Sequence, residues 1–423
     1  MSKIKPVRGM NDLLPDEVKA WVYAEKKIKK VFSAYGYQEI RFPIIERTDL
    51  FVRSNEAADI VTKQMYSFED KGGESISLRP EGTAGCVRAA IDNDLLRTDN
   101  PKLWYSGPMF RYERPQKGRS RQFIQFSAEV FGIRSAEIDA ELILLTARLW
   151  KELGLEKSIR LEINNIGDNE ARKSYVKSLR SYFKTHQSDL DDDSVRKLKD
   201  NPLRILDSKS PAIKKILTGA PEIEEFISQD SKDEFSKLTT MLDYNGIDFL
   251  INSKLVRGLD YYNQTVFEWK SDVLGSQDTV CGGGRYDNLV EELGGRPCPA
   301  IGFSIGMERL ILSLKSTSFE ESNIRNIDFY FICLAENSIE KAIMYSESIR
   351  DKFPSATIKI NMGMESAGSQ FKKADKSGAS FALILGEEEL ETNTLSLKDL
   401  RSKSKQENLT DVDLDKRLKE IYK

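Results

Sequence analysis

The 423-residue sequence predicts an α+β fold: an antiparallel sheet with flanking helices, a helical insertion and a separate C-terminal α/β unit. Three observations carry this. Two strand-like runs, Leu103–Arg111 and Gln122–Phe131, flank a short loop containing Pro115 and Gly118, which reads as an antiparallel hairpin. Residues from about 168 to 250 turn polar and helical around the acidic run Asp189–Asp193 and interrupt the strand-rich pattern. Beyond the polar stretch Ser316–Asn326, the apolar strands Ile327–Leu334 and Phe381–Leu385 alternate with helical segments in a βαβ-like pattern. The expected division is therefore a domain over 1–325, interrupted by the insertion, and a second over 326–423.

Each element has a local cause. Glu17–Tyr35 is amphipathic, with Val18, Trp21, Ile28, Val31, Phe32 and Tyr35 at helical spacing and Gly36 as its stop. Tyr37–Ile45 alternates like a strand, and Pro43 near its end marks an edge or bulge because proline cannot donate to a ladder. Glu56–Phe68 reads as a loop leading to a strand, Gly72-Gly73 as a turn, and Ile76–Arg79 as a short strand stopped by Pro80. Thr83–Ala90 opens a helix, and Ala136–Leu153 forms another, with Glu137, Asp139 and Glu141 near the end that a helix dipole favours. Arg160–Asn164 is strand-like. Phe267 and Trp269 are strand residues, and Arg257, Tyr261 and Tyr262 fall in a turn between strands. Gly282-Gly283-Gly284 lacks dinucleotide-binding spacing and signals a flexible turn or a close backbone approach. Ala300–Leu312 passes from strand into helix through Gly306, with Arg309 one turn in.

Composition narrows the function. Hydrophobic residues make up 39% and charged residues 31%, as in a soluble globular protein. No apolar run reaches 18 residues, so no membrane span is expected. The four cysteines, at 86, 281, 298 and 333, form no C-x-x-C pair, which speaks against disulfides or a structural zinc and fits a reducing cytoplasm. His186 is the only histidine, which leaves no His-based triad or His-rich metal site. A net charge of −3 means that any nucleic-acid contact must come from local basic patches.

The strongest such patch is the hairpin loop. Arg111, Arg114, Lys117, Arg119 and Arg121 fall within eleven residues, opposed only by Glu113. Such a loop either is solvated or aims guanidinium groups at a phosphate chain. Glu81, Gln125 and Glu129 are polar residues among apolar neighbours, and an unbulged strand shows Gln125 and Glu129 on one face. Arg309, in an apolar setting, needs an anion, either a phosphate or a carboxylate.

The hairpin resembles motif 2 of class II aminoacyl-tRNA synthetases. The segments R-P-E-G-T and L-V-R-G-L-D-Y-Y-N resemble those of the bacterial-type histidyl-tRNA synthetase family, and the likeness covers nearly the whole chain. The helix–strand–proline unit at Glu17–Ile45 resembles motif 1, Ala300–Leu312 resembles motif 3, and R-G-x-x-D at Arg8–Asp12 resembles the family's opening. The resemblance implies a class II sheet, an anticodon-binding C-terminal domain, a homodimer, and an insertion that leans on the acceptor arm of the tRNA. It implies ATP-dependent activation of L-histidine to the adenylate and transfer to the 3′ end of tRNA(His), with Mg2+ accompanying ATP. Arg257 and Arg111 are then the catalytic cations at the α-phosphate. Glu81, Thr83 and Gln125 would hold the α-amino group of histidine, and Glu129 and Tyr262 would meet its imidazole. Arg111, Arg257 and Tyr261 complete that pocket, and Tyr286 stands beside it. Arg111, Arg119 and Arg309 would bind ATP. Ile124 and Ser127 depart from the F-H-Q-F-G run common among relatives and put the outer packing of the hairpin in question.

The alternative is the family's regulatory paralogue, a histidine-sensing subunit of ATP phosphoribosyltransferase. That paralogue lacks the C-terminal domain and has degraded ATP-site arginines. Here Arg257 and Arg309 are both present, and about a hundred residues follow motif 3, which favours the enzyme.

Overall fold

The computed structural model describes residues 3–422 apart from 55–57, 98–99, 207, 209, 276–277, 318, 320–326 and 403. Glu56 and most of the polar stretch 316–326 therefore lie outside the described residues. The chain divides into two units, Met1–Phe319 and Glu320–Lys423.

The first unit opens with the helix Pro15–Ala34. Pro15 supplies the preset φ of its first turn, and Glu17 reaches back to accept the Leu14 N–H at 3.1 Å. Gly36, at φ +78°, ends it. β1 (Gln38–Glu39) follows, but the chain leaves the ladder before Pro43, so the expected strand over Tyr37–Ile45 is two short pieces. The second piece, β2 (Ile45–Arg47), belongs to a small sheet with β3 (Tyr66–Glu69) and β4 (Ser75–Leu78), ordered β2–β4–β3. Within the loop expected before β3, a short helix forms at Asp59–Lys63.

The main sheet is built from β1, β5 (Lys102–Phe110), β6 (Gln122–Phe131), β7 (Ile159–Asn165), β8 (Phe249–Ile251), β9 (Asn263–Ser271), β10 (Thr279–Arg285) and β11 (Ala300–Gly306). Its order is β1–β5–β6–β11–β10–β9–β7–β8, antiparallel throughout except for the outermost pairs β1–β5 and β7–β8. The period-two alternation of side chains separates its faces. Phe126, Ala128 and Val130 of β6, with Trp104, Phe303 and Phe267, pack on one side against the helices Pro15–Ala34 and Ala136–Glu152. Leu103, Tyr105, Met109, Phe131, Val266 and Tyr286 line the other side, where the helix Thr83–Asp92 and the loop carrying Tyr261 and Tyr262 cover part of the sheet. The odd-numbered residues of β6, Gln125 and Glu129 among them, therefore belong to the second face.

The triple glycine is no flexible turn. Gly282, Gly283 and Gly284 lie inside β10, opposite Ser304, Phe303 and Gly302 of β11. A Cβ on Gly283 would run into the carbonyl of Gly302, so close approach is the reason for this glycine.

The insertion contains the helices Asn169–Thr185, Asp192–Asp200, Pro211–Leu217 and Gln229–Tyr244. Asp168, Asp191 and Ser228 cap three of them by accepting backbone N–H groups. Tyr175, Leu179, Phe183, Leu198, Ile205 and Ile213 form a small core of their own. The last helix behaves differently: Leu238 and Leu242 are buried in the main core behind the sheet.

The second unit has a five-stranded sheet built from β12 (Phe329–Cys333), β13 (Ile358–Ile360), β14 (Phe381–Leu385), β15 (Leu395–Asp399) and β16 (Glu407–Leu409), ordered β13–β12–β14–β15–β16. β12 pairs parallel with β13 and β14, whose crossovers are the helices Ser338–Lys352 and Ala367–Lys376. Phe329, Phe331, Leu383 and Leu385 face one side of this sheet, and Tyr330, Ile332, Ala382 and Ile384 the other, so both faces are buried.

Candidate active site

The polar floor of the site is assembled by the start of the helix Thr83–Asp92. Glu81 lies just before it and accepts the backbone N–H groups of Thr83 at 2.6 Å and Ala84 at 2.9 Å. A carboxylate here meets the positive end of the helix. Burial still raises its pKa, against the pull of those N–H groups and of Arg111. Thr83 turns its hydroxyl away from this cap and donates it to Glu129 Oε1 at 2.9 Å.

Glu129 is the centre of a cage. Tyr105 donates to its Oε1 at 2.8 Å, and Tyr286 donates to its Oε2 at 2.5 Å. The residue is 1% exposed, and burial lifts its pKa to about 8 despite these donors. Gly302, its cross-strand partner on β11, leaves room for it: a Cβ there would overlap the carboxylate. Tyr261 packs on Tyr262, with ring centroids 4.8 Å apart, and edge-on to Tyr286 at 5.6 Å.

An open cleft of about 550 Å³ lies on this unit; Glu81, Thr83, Glu129, Tyr261 and Tyr262 do not line it. Arg111, Arg119, Gln125, Arg257, Glu268 and Arg309 all line it. Arg111 is held by the Pro80 carbonyl, 2.8 Å from its Nε, and its guanidinium sits 5.1 Å from the centre of the Phe123 ring. Arg119 pairs with Glu113 at 3.1 Å. Arg309 donates to the carbonyls of Thr279 at 2.6 Å and Gly118 at 3.4 Å, which joins the motif 3 helix to the hairpin loop. Burial, then the neighbouring Arg119 charge, pull its pKa down to about 10. A buried arginine lowered further by neighbouring arginine charges marks a site suited to an anion. Gln125 Oε1 is buried and takes no hydrogen bond among the described residues, so the same cleft offers a vacant acceptor for an N–H donor.

Arg257 lies flat over Gly282, whose missing side chain leaves room for the guanidinium. Its carboxylate partner is Glu268 of β9. Asp260 meets Arg172 and Arg204 of the insertion. Burial alone would lower the Arg257 pKa, but Glu268 overcomes it and raises it. Arg257 Nε is buried without a partner among the described residues, and the guanidinium sits 5.7 Å from the centre of the Tyr262 ring. Gly258 needs no positive φ and has open space where a Cβ would stand, so it supplies no special turn.

The unusual residues of the hairpin are accommodated. Ile124 faces the core side, and its N–H donates to Glu308 at 3.0 Å. Ser127 pairs hydroxyl to hydroxyl with Ser304 of β11 at 2.7 Å. Tyr105, Gly302 and Glu268 were not singled out in the sequence. The odd-position alternation of β5 and β6 could have placed Tyr105 near Glu129, but nothing local in the sequence pairs Glu268 with Arg257.

Gly9, at φ +82°, is bound to the hairpin loop: its carbonyl accepts the Arg121 N–H at 2.7 Å, and a Cβ would strike Arg121 and Pro115. The opening segment thereby braces the basic loop.

A six-strand antiparallel run edged by parallel pairs, with a cation-lined cleft entered by hairpin, strand–helix and loop arginines, defines the catalytic domain of a class II aminoacyl-tRNA synthetase. Residues 9–310 match the family model for histidyl-tRNA synthetase, and residues 328–421 match that for an anticodon binding domain. The chain belongs to the histidyl-tRNA synthetase family, whose reaction is ATP-dependent activation of L-histidine and its transfer to tRNA(His). It is similar to an apo histidyl-tRNA synthetase of S. aureus, with 33% identity, a TM-score of 0.79 and 100% of both chains covered. It shares the fold of the histidyl-tRNA synthetase of Nostoc sp. PCC 7120 at 21% identity, TM-score 0.71, with 100% of both chains covered. It also shares the fold of an ATP phosphoribosyltransferase regulatory subunit/histidyl-tRNA synthetase from Bacillus halodurans at 20% identity, TM-score 0.66, with 91% of this chain and 100% of that one covered. Among the described residues no helix is long and apolar enough to cross a membrane.

Proposed function

We propose that histidine lies with its imidazole against Glu129 and Tyr262 and its α-amino group between Glu81, Thr83 and Gln125. The observation that carries this reading is the Glu129 cage. Three hydroxyls hold one buried carboxylate in a fixed orientation beside an aromatic pair, which suits a flat ring with N–H donors at its edge. The vacant Gln125 acceptor supports the amino-group assignment. Tyr261 bounds the same pocket.

The histidine carboxylate attacks the α-phosphorus of ATP, and pyrophosphate leaves. The protein needs no nucleophile and works by alignment and charge. Arg111 and Arg257 flank the α-phosphate, with Arg111 also reaching the carboxylate of histidine. Arg119 and Arg309 take the pyrophosphate end. Mg2+ arrives with the triphosphate and takes most of its ligands from phosphate oxygens, with one or two protein carboxylates at most. The carboxylates that line the cleft and could serve are Glu113, Glu268, Asp278 and Glu308.

We further propose a cytoplasmic homodimer built partly on residues 17–45, with closed two-fold symmetry. Light scattering at micromolar concentration should return twice the 48.2 kDa chain mass, and a monomer mass would refute the dimer.

Selectivity tests the pocket. A site that hydrogen-bonds a ring N–H rejects isosteres lacking it by about 10⁴ or more. Glu129→Ala should abolish histidine-dependent pyrophosphate exchange in a protein that still folds. Unchanged kinetics would remove Glu129 from the pocket.

A further inference from the structure

Residues 252–262 contain neither helix nor strand, yet this loop carries Arg257 to the cleft and buries Tyr261 and Tyr262 beside Tyr286. Its shape is imposed from two sides. From the sheet, Asn164 of β7 donates to the carbonyls of Leu255 at 3.0 Å and Ser253 at 3.3 Å. From the insertion, Arg172 on the helix Asn169–Thr185 donates one guanidinium nitrogen to the carbonyls of Tyr262, at 3.1 Å, and Asp260. Its other terminal nitrogen lies 3.7 Å from Asp260 Oδ1. Asn201 donates to the same oxygen at 2.9 Å, and Arg204 meets Oδ2 at 3.5 Å. Val256 packs against the insertion's own apolar core.

The arrangement is specific in its chemistry. A planar guanidinium spans two carbonyls and a carboxylate at once, a grip that a lysine point charge cannot reproduce. The side chains of Arg172, Asp260 and Arg204 are 19%, 22% and 13% exposed, so their attraction is only partly screened by water. Arg172, Asn201, Arg204 and Asp260 do not line the open cleft, and the first three line a smaller pocket together with Arg257 and Tyr262. They act on the loop from behind.

We infer that Arg172, acting through Asp260 and the Tyr262 carbonyl, is a positioning residue for histidine activation. The helical insertion thereby sets the height of residues 256–262, and so of Arg257 and the Tyr261–Tyr262 pair. The inference rests on the histidine pocket proposed above. A shift of the loop by about 1 Å at this distance can cost about 10²-fold in rate.

The test uses the full chain. Pyrophosphate exchange at varied histidine and varied ATP, with thermal melts, is measured for wild type, Arg172→Lys, Arg172→Ala, Asp260→Asn and the double variant Arg172→Ala/Asp260→Asn. The expected result is that Arg172→Ala raises KM for histidine about ten-fold or more and lowers kcat, while KM for ATP stays within about two-fold. Arg172→Lys should recover part of the loss, and the double variant should be little worse than Arg172→Ala because both break one clamp. Unchanged histidine kinetics in Arg172→Ala and Asp260→Asn would overturn the inference. So would parallel losses for both substrates that track a lowered melting temperature. Should Arg172→Ala fail to fold, Arg172→Lys and Asp260→Asn decide by the same KM split. Wild-type protein with no histidine-dependent exchange would defeat the pocket itself; normal wild-type exchange with variants that behave like wild type would defeat the clamp alone.

Discussion

Glu129 has three hydroxyl donors and almost no water, and the balance leaves its pKa at about 8. The folded state therefore holds a proton that the unfolded chain releases near the ordinary glutamate value. Stability from this group is fully present below that value and is lost as pH rises towards about 8. Asp139, raised to about 6, and Glu308, raised to about 7, act in the same direction, so the informative quantity is the difference between proteins. Glu129→Gln should show a shallower loss of melting temperature between pH 5 and 8 than wild type; identical slopes would contradict the assignment. Arg257 is judged at the same scale. Losing one preorganised donor at a developing charge typically costs about 10²–10³ in rate, or roughly 3–4 kcal/mol. Arg257→Ala should lose that much in pre-steady-state adenylate formation with little change in melting. Arg257→Lys should be partly active, since it keeps the charge and loses the fork. The competing outcome is a large fall in melting with near-normal chemistry, which would make the Glu268 pair its whole role.

At the scale of elements, two glycines separate packing from sequence resemblance. Gly302 faces the Glu129 carboxylate across β6–β11, and Gly302→Ala should displace it and cost histidine-dependent exchange at least as much as losing Glu129. Gly258, inside R-G-L-D-Y-Y, has open space and no positive φ, so Gly258→Ala should be close to neutral by the same assay. Equal damage from both would refute this account of the loop. The contrast also marks what the sequence could reveal. Hairpin strands, the motif 3 strand–helix and the Pro15–Ala34 helix were readable because alternation, helical spacing and capping residues are local signals. The split of Tyr37–Ile45 into β1 and β2 was not, because strand partners decide where a ladder ends. The partner of Arg257 was not legible for the same kind of reason: Glu268 reaches it from β9, and no local signal in the sequence pairs the two. The triple glycine left a turn and a close backbone approach both open, because what decides for close approach, the Gly302 backbone on the neighbouring strand, is distant in sequence.

For the whole molecule, the two units imply a division of labour. Every residue assigned to histidine and ATP lies within Met1–Phe319, while residues 328–421 match an anticodon binding domain. Removing residues 326–423 should therefore weaken aminoacylation of tRNA(His) far more than pyrophosphate exchange; equal loss of both in a folded truncation would refute the separation. The central claim is that the caged Glu129 carboxylate selects histidine and that the arginines of the cleft activate it. ATP–pyrophosphate exchange with each of the twenty amino acids tests it most directly. The account predicts exchange with histidine alone, lost in Glu129→Ala. Exchange with another amino acid at a comparable rate, or none with histidine from folded protein, would contradict it.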